Sequence, residues 1–196
     1  MEEKTYASFQ LPFEEEILEY AVTSDGGDYS KVQVVPGAAY DAVSALQSNI
    51  DTIWIYAGWD KIACEKAGLD YNFIMFTDVA KELDYYTPVL IAGNDYLAEN
   101  PETAKAFLAA TAKGYTYCCK NPEAAADILC KAVPELDAEM VLASQQYLAG
   151  EYISDSPYWG YIDPERWNAF YGWLYEKGLT EKSLEDVGFT NDYLTE

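Results

Sequence analysis

Histidine is missing altogether from these 196 residues. Its absence excludes histidine general bases, Ser-His-Asp and Cys-His triads, and histidine-ligated zinc. Basic residues are scarce: 12 Lys and Arg stand against 34 Asp and Glu, a formal net charge of −22 at pH 7. Nucleic-acid binding needs clustered Lys and Arg to release counterions from phosphates, so no nucleic-acid partner is expected. An anionic membrane surface is an equally poor match. No run of about 18 apolar residues occurs, so no membrane span is predicted. The start, Met1-Glu2-Glu3-Lys4-Thr5-Tyr6, has neither a basic stretch nor an apolar core, and no signal peptide is expected in this chain. The four cysteines, Cys64, Cys118, Cys119 and Cys130, match no zinc or C-x-x-C spacing and read as small buried thiols. Their spacing leaves open a bridge between Cys118 and Cys130. Glycine patterns for phosphates or dinucleotides are absent, and Asp25-Gly26-Gly27-Asp28 reads as a turn. Carboxylates are plentiful but unpaired by any motif. These gaps favour a binder over an enzyme, with no cofactor and no metal.

Aromatic and apolar side chains are abundant. Half the residues are hydrophobic, with 18 Tyr and 5 Trp, which excludes intrinsic disorder. At about 150 residues per domain the length allows one domain or two small ones. The first part alternates strand and helix signals. Thr5–Phe9 reads as a strand, and Pro12 opens a helix with Glu14, Glu15 and Glu16 in its first turn, where the helix dipole favours acid. Lys31–Val35 is a second strand closed by Pro36-Gly37, and Asp41–Leu46 a short helix. Thr52–Tyr56 is a third strand that Gly58 turns into a helix, and Asn72–Phe76 a fourth. Short connections between such elements imply a small, mainly parallel α/β sheet over residues 4–77. After the extended segment Asp84–Ala92 the pattern is helical. Asn100-Pro101-Glu102 and Asn121-Pro122-Glu123 are each an N-cap followed by proline at the first helical position. Asp137 caps a third helix and Asp163-Pro164 begins a last one, stopped by Gly178. The helical half holds one strand-like piece, Pro88–Ala92, whose edges would stand open without other strands.

Three groups are candidates for binding. Trp54, Tyr56 and Trp59 lie where the third strand becomes a helix, and open α/β sheets bind ligands beyond the carboxyl ends of their strands. By period two Trp54 and Tyr56 share one strand face. They would stack on a planar ring, or simply fill the space between sheet and helix. The other strand-to-helix turn, Ser8–Pro12 with Gln10, offers backbone N–H groups to an anion or carbonyl. There Glu14 or Glu15 would accept from a ligand amino group, or only balance the helix dipole. Tyr85 and Tyr86 lie on the segment joining the two halves, beside any cleft between them. Tyr158, Trp159 and Tyr161 are weaker candidates, in a loop that would cover a core.

Several of these segments together resemble the C-terminal half of a periplasmic-type solute-binding protein of an ABC importer. They are Leu46–Asp51, Trp54–Asp60, Asp84–Ala92, Leu97–Glu102, Lys113–Tyr115, Asn121–Ala125 and Trp167–Gly178. The nearest resemblance is to the thiamine-pyrimidine-precursor (ThiY-like) and alkanesulfonate, nitrate and taurine binders. The resemblance implies the α/β type II periplasmic-binding-protein fold, with two lobes clamping a small-molecule solute. Residues 1–83 would be a complete α/β lobe, 84–92 an interlobe crossing, and 93–196 the helical C-terminal part of the other lobe, its N-terminal part absent. It further implies an extracytoplasmic, lipoprotein-type setting, an ABC permease as partner, and ligand contacts from Trp54, Tyr56, Trp59, Tyr85, Tyr86, Glu15 and Gln10. Family members often carry small glycines where this chain has Gln10-Leu11. A related fungal pyrimidine synthase consumes a histidine of its own chain, a chemistry closed to a chain without one. Two alternatives stay open: an alkanesulfonate-like anion as solute, or a non-binding remnant that self-associates through the incomplete lobe.

Overall fold

The computed structural model describes residues 3–36 and 41–194. The elements are β1 (Thr5–Ser8), α1 (Glu14–Ser24), β2 (Gln33–Pro36), α2 (Ala42–Leu46), β3 (Thr52–Ile53), α3 (Ile62–Lys66), α4 (Phe76–Val79), α5 (Asn94–Glu99), α6 (Pro101–Lys120), α7 (Pro122–Ala132), α8 (Ala138–Glu151) and α9 (Pro164–Glu176). The fold is mixed α/β. Gly37, expected to close the second strand, and the first two residues lie outside the described residues.

Two compact units divide the chain. The first holds the residues up to Tyr85 together with Ala169–Glu185; the second holds Tyr86–Asn168 and Asp186–Glu196.

The first unit contains a parallel three-stranded sheet in the order β2-β1-β3. Tyr6 pairs with Val34 and Thr52, and Ala7 with Val35 and Ile53. The central strand is accordingly the most enclosed, with Tyr6, Ala7 and Ser8 buried. Parallel neighbours need a crossover; α1 provides it between β1 and β2, and the chain then passes through α2 to place β3 on the other side of β1. The helix expected from Pro12 begins at Glu14, with Phe13 as its cap. The third strand is shorter than its apolar run suggests, ending at Ile53. The fourth does not form: residues 72–75 join no ladder, and Phe76 begins a helical turn instead. An apolar β-branched run becomes a strand only where a neighbour can share its hydrogen bonds. Here Phe76 is taken up by Trp54, edge to face at 4.7 Å between ring centres.

The core of this unit is Ile17, Leu83, Phe170, Trp173 and Leu174, flanked by Phe13, Tyr20, Trp54, Phe76 and Tyr85. Phe170 is its hub. Its ring stacks on Tyr85 at 4.3 Å and meets Phe13 at 6.5 Å and Trp173 at 6.3 Å. The end of α9 is closed by Gly178 at φ 72°, with the Leu179 N–H returning to the Leu174 carbonyl. That left-handed step costs glycine nothing.

In the second unit α7 packs against α8, and α6 against both. Asp137 Oδ1 accepts from the Glu139 and Met140 amides, so its expected capping role is met. The two Asn-Pro starts work differently from the expected caps. Asn100 Nδ2 donates to the Tyr96 carbonyl at 3.2 Å, and Asn121 Nδ2 to Tyr117 at 3.1 Å. Each side chain thus closes the preceding helix, while its own carbonyl accepts the first bond of the next one, from Ala104 and Ala125. All four cysteines are free; Cys64 is buried and the other three half-buried, not the fully buried thiols expected. Pro88–Ala92 is irregular and joins no ladder among the described residues, with Val89, Leu90 and Ile91 exposed. Among the described residues no helix is long and apolar enough to cross a membrane.

Replacing Phe170 with Ala should destabilise the protein by about 3–5 kcal/mol, since it empties the centre of an aromatic core. Urea unfolding monitored by Trp fluorescence measures the loss.

Candidate functional site

The sheet order sets β1 and β3 side by side and parallel, so both strand-to-helix turns open at the same edge of the sheet. Each turn is tied by a carboxylate from the helical segment it leads into. At the first, Glu14 is 0% exposed. Its Oε1 accepts from the Tyr6 hydroxyl at 2.6 Å and from the Phe9 amide at 2.9 Å, and its Oε2 from the Leu11 amide at 3.0 Å. Between them the Gln10 amide donates to Ser8 Oγ at 2.9 Å. At the second turn Asp60 Oδ2 accepts from the Tyr56 amide at 2.8 Å. The expectation of backbone N–H groups free for an anion at Phe9, Gln10 and Leu11 is therefore overturned: the chain's own side chains engage all three.

Gln10 adopts φ 60°, a left-handed conformation that glycine enters without strain. Burial, then the hydrogen bond to Glu14, pushes the Tyr6 phenol far above its ordinary range.

The aromatic candidates fall into different environments. Trp54 is half-buried, between Phe13 at 6.4 Å and Phe76. Tyr56 and Trp59 are 58% and 43% exposed. Trp54 and Tyr56 thus differ in exposure, and the ladder that would enforce alternation between them stops at Ile53. Tyr85 is half-buried against Phe170, with Phe13 edge-on at 6.3 Å. Burial, with a smaller contribution from the nearby Tyr56 phenol, pushes its hydroxyl up to about 12.

Gln10 and Glu15 line a groove with Leu11, Pro12, Glu16, Glu19 and Tyr29, apart from the aromatic candidates. Burial and the charges of Glu15 and Glu19 raise the Tyr29 phenol.

Tyr86 belongs to the second unit. Its hydroxyl accepts from the Asp163 amide at 2.9 Å, and the Arg166 guanidinium lies 4.3 Å from its ring centre. Both the polar tip and one ring face are thus engaged at the start of α9, where Asp163 Oδ1 also caps Glu165 and Arg166. Trp159 stacks on Tyr115 at 4.8 Å, and Tyr158 meets Tyr161 edge-on. Among the described residues no cluster of Cys, Asp or Glu has the arrangement of a metal site.

Glu14 as an internal organiser is the residue that sequence reasoning undervalued. Its spacing to Ile17 and Leu18, three and four residues on, placed it on the buried face all along.

Comparison with known proteins agrees with this architecture. A model of the family described as NMT1/THI5 like matches residues 1–125, and the chain belongs to that family. It is also 26% identical over 169 residues to the formylaminopyrimidine-binding protein of Halalkalibacterium halodurans, an alignment covering 84% of this chain and 51% of that protein. The chain thus spans about half the length of the relative it matches.

The Tyr85 phenol is 10.0 in an ordinary setting and about 12 here. The fold therefore keeps a proton that the unfolded chain loses, so stability is full below pH 10 and falls as pH rises towards 12. Replacing Tyr85 with Phe keeps the stack on Phe170 and should shallow that alkaline fall, read by chemical unfolding across the same window.

Proposed function

We propose that this chain is a solute-binding component of an ABC-type importer, which takes up a small planar heterocycle of the thiamine-pyrimidine-precursor kind and passes it to a membrane permease. In this reading residues 1–83 act as one α/β lobe of a type II periplasmic-binding-protein fold. Residues 84–92 are a crossing between lobes, and 93–196 contribute helices to the other lobe. The protein works outside the cytoplasm.

The observation that carries the reading is the exposure of Tyr56 and Trp59, 58% and 43%, in the turn after β3. Large rings left in water mark a surface awaiting something apolar, and the carboxyl ends of parallel strands are where such sheets bind ligands. Trp54 and Tyr85 are held in the packed aromatic core of the same unit. Glu15 and Gln10, in a separate groove at the neighbouring turn, would supply polar groups to a solute that reaches both turns. The name of the Halalkalibacterium relative, a formylaminopyrimidine-binding protein, supports the same ligand class. Binding is by stacking and hydrogen bonds, without covalent chemistry.

Calorimetric titration with a panel of aminopyrimidines, formylaminopyrimidine included, tests the proposal. At least one should release heat. Trp59→Ala and Tyr56→Ala should each weaken it about fivefold or more, the equivalent of about 1 kcal/mol of ring contact. No heat from any member would overturn the ligand class.

A second reading rests on Pro88–Ala92. Ile91 is 91% exposed, beside exposed Leu90 and Val89, and the segment's backbone joins no ladder among the described residues. Two copies of the chain could pair there edge to edge. Light scattering decides: a dimer that Ile91→Lys dissociates supports this reading, and a monomer at all concentrations sinks it.

A further inference from the structure

We propose that α6 is the seat of a second copy of this chain, the two α6 helices crossing antiparallel about a two-fold axis level with Ala112. The inference goes beyond the solute-binding reading and does not depend on it. It also places self-association on a different surface from Pro88–Ala92.

α6 is 20 residues long and turns one side to its own unit. On that side Ala104 is buried, and Leu108, Thr111 and Tyr115 are half-buried. Tyr115 meets Tyr152 and Trp159 there. A second stripe lies about 100° further round the helix. It runs through Thr103, Phe107, Ala110, Gly114 and Tyr117, and all of them are exposed. The steps between them alternate between a four-residue and a three-residue advance. That is the repeat of about 3.5 residues with which one helix packs along another. Phe107 is 57% exposed and Tyr117 44%. Large rings open to water at both ends of one seam mark an interaction surface.

Gly114 is an independent observation. Glycine disfavours a helix more than any residue but proline, yet it stands within α6. Nothing inside the chain calls for it: a Cβ there would meet no atom within 4 Å among the described residues. The missing side chain serves something that approaches from outside, because the distance between two helix axes is set by the side chains at their contact.

The stripe itself specifies a second copy as the occupant. A two-fold interface sets one patch against itself. Antiparallel copies centred level with Ala112 place Ala110 opposite the partner's Gly114, and Phe107 opposite the partner's Tyr117. Small residues then meet at the crossing, and a pair of rings closes each end. The charges agree with the same register. Glu102 and Lys120 stand about five whole turns apart, so they share one margin of the stripe. In the antiparallel pair Glu102 comes level with the partner's Lys120 to within about 3 Å along the axis. A parallel pair would set like charge against like. Elsewhere a net charge of −22 holds copies apart. α6 offsets it locally, with Lys105, Lys113 and Lys120 against Glu102. Lys113 flanks the crossing, where its long stem keeps the ammonium in water.

Sedimentation equilibrium of the full chain over a concentration series tests the proposal. The wild type should form a dimer. Gly114→Arg puts a long side chain at the crossing and should weaken the dimer about tenfold or more. Its circular dichroism and urea midpoint should match the wild type or improve, since arginine favours a helix that glycine disfavours. Ile91→Lys should leave the dimer intact. Glu102→Lys should weaken it about threefold at low salt, and adding Lys120→Glu should restore it. This charge reversal carries the test if Gly114→Arg does not fold. A monomer at every concentration would overturn the proposal. So would a dimer that Ile91→Lys dissociates, one that a folded Gly114→Arg leaves unchanged, or a reversal that fails to restore association.

Discussion

A carboxylate removed from water must find donors inside the protein or destabilise the fold around it. Glu14 meets that requirement with three, drawn from the central strand and from the turn that follows it. The consequences spread in both directions. Tyr6 is fixed at the middle of the sheet, between Val34 and Thr52. The turn is folded back over the helix start, which forces Gln10 to φ 60°. The first turn of α1 is then seated so that Ile17 reaches the core. Strand, turn and helix are thereby a single mechanical piece. The groove lined by Gln10 and Glu15 is a by-product of that construction.

The aromatic cluster supplies the complementary element, one built on shape. Phe13, Trp54, Phe76, Tyr85 and Phe170 meet mostly edge to face, the arrangement that ring quadrupoles favour, with Tyr85 and Phe170 stacked. Since Phe170 comes from far along the chain, the sheet unit closes only when α9 delivers it. Tyr56 and Trp59 stay outside this packed cluster and are exposed. Their position distinguishes them from Trp54, whose surface is already spent on neighbours.

What could be read from the chain alone tracks how local the cause is. Caps and dipole partners act within one turn, so Asp137, Asp163 and the acidic start of α1 were legible. So were the alternation of the first half and the helical second half. Strands need partners that a linear reading leaves unspecified. Asn72–Phe76 has a strand's composition without a neighbour, and β3 pairs over two residues only. Period two placed Trp54 and Tyr56 on one strand face, but the strand itself ends before both of them, at Ile53. Among the candidate site residues, Tyr86 was found by its place in the sequence, but the hydroxyl bond to Asp163 and the guanidinium over its ring are long-range contacts. Glu14 was visible as a helix-start acid. Its role inside the fold depended on Tyr6, eight residues away on another element.

The two asparagine joints of the helical unit carry a consequence for how this surface can change over time. Asn100 and Asn121 are each the only residue between consecutive helices, bonded to the one behind and accepting from the one ahead. A single residue added or lost at such a joint would break either the side-chain bond to the helix behind or the carbonyl bond to the helix ahead, because one residue makes both. This part of the chain is therefore free to diverge by substitution yet closed to drift in length, and variation in length should collect in the turns of the sheet unit instead.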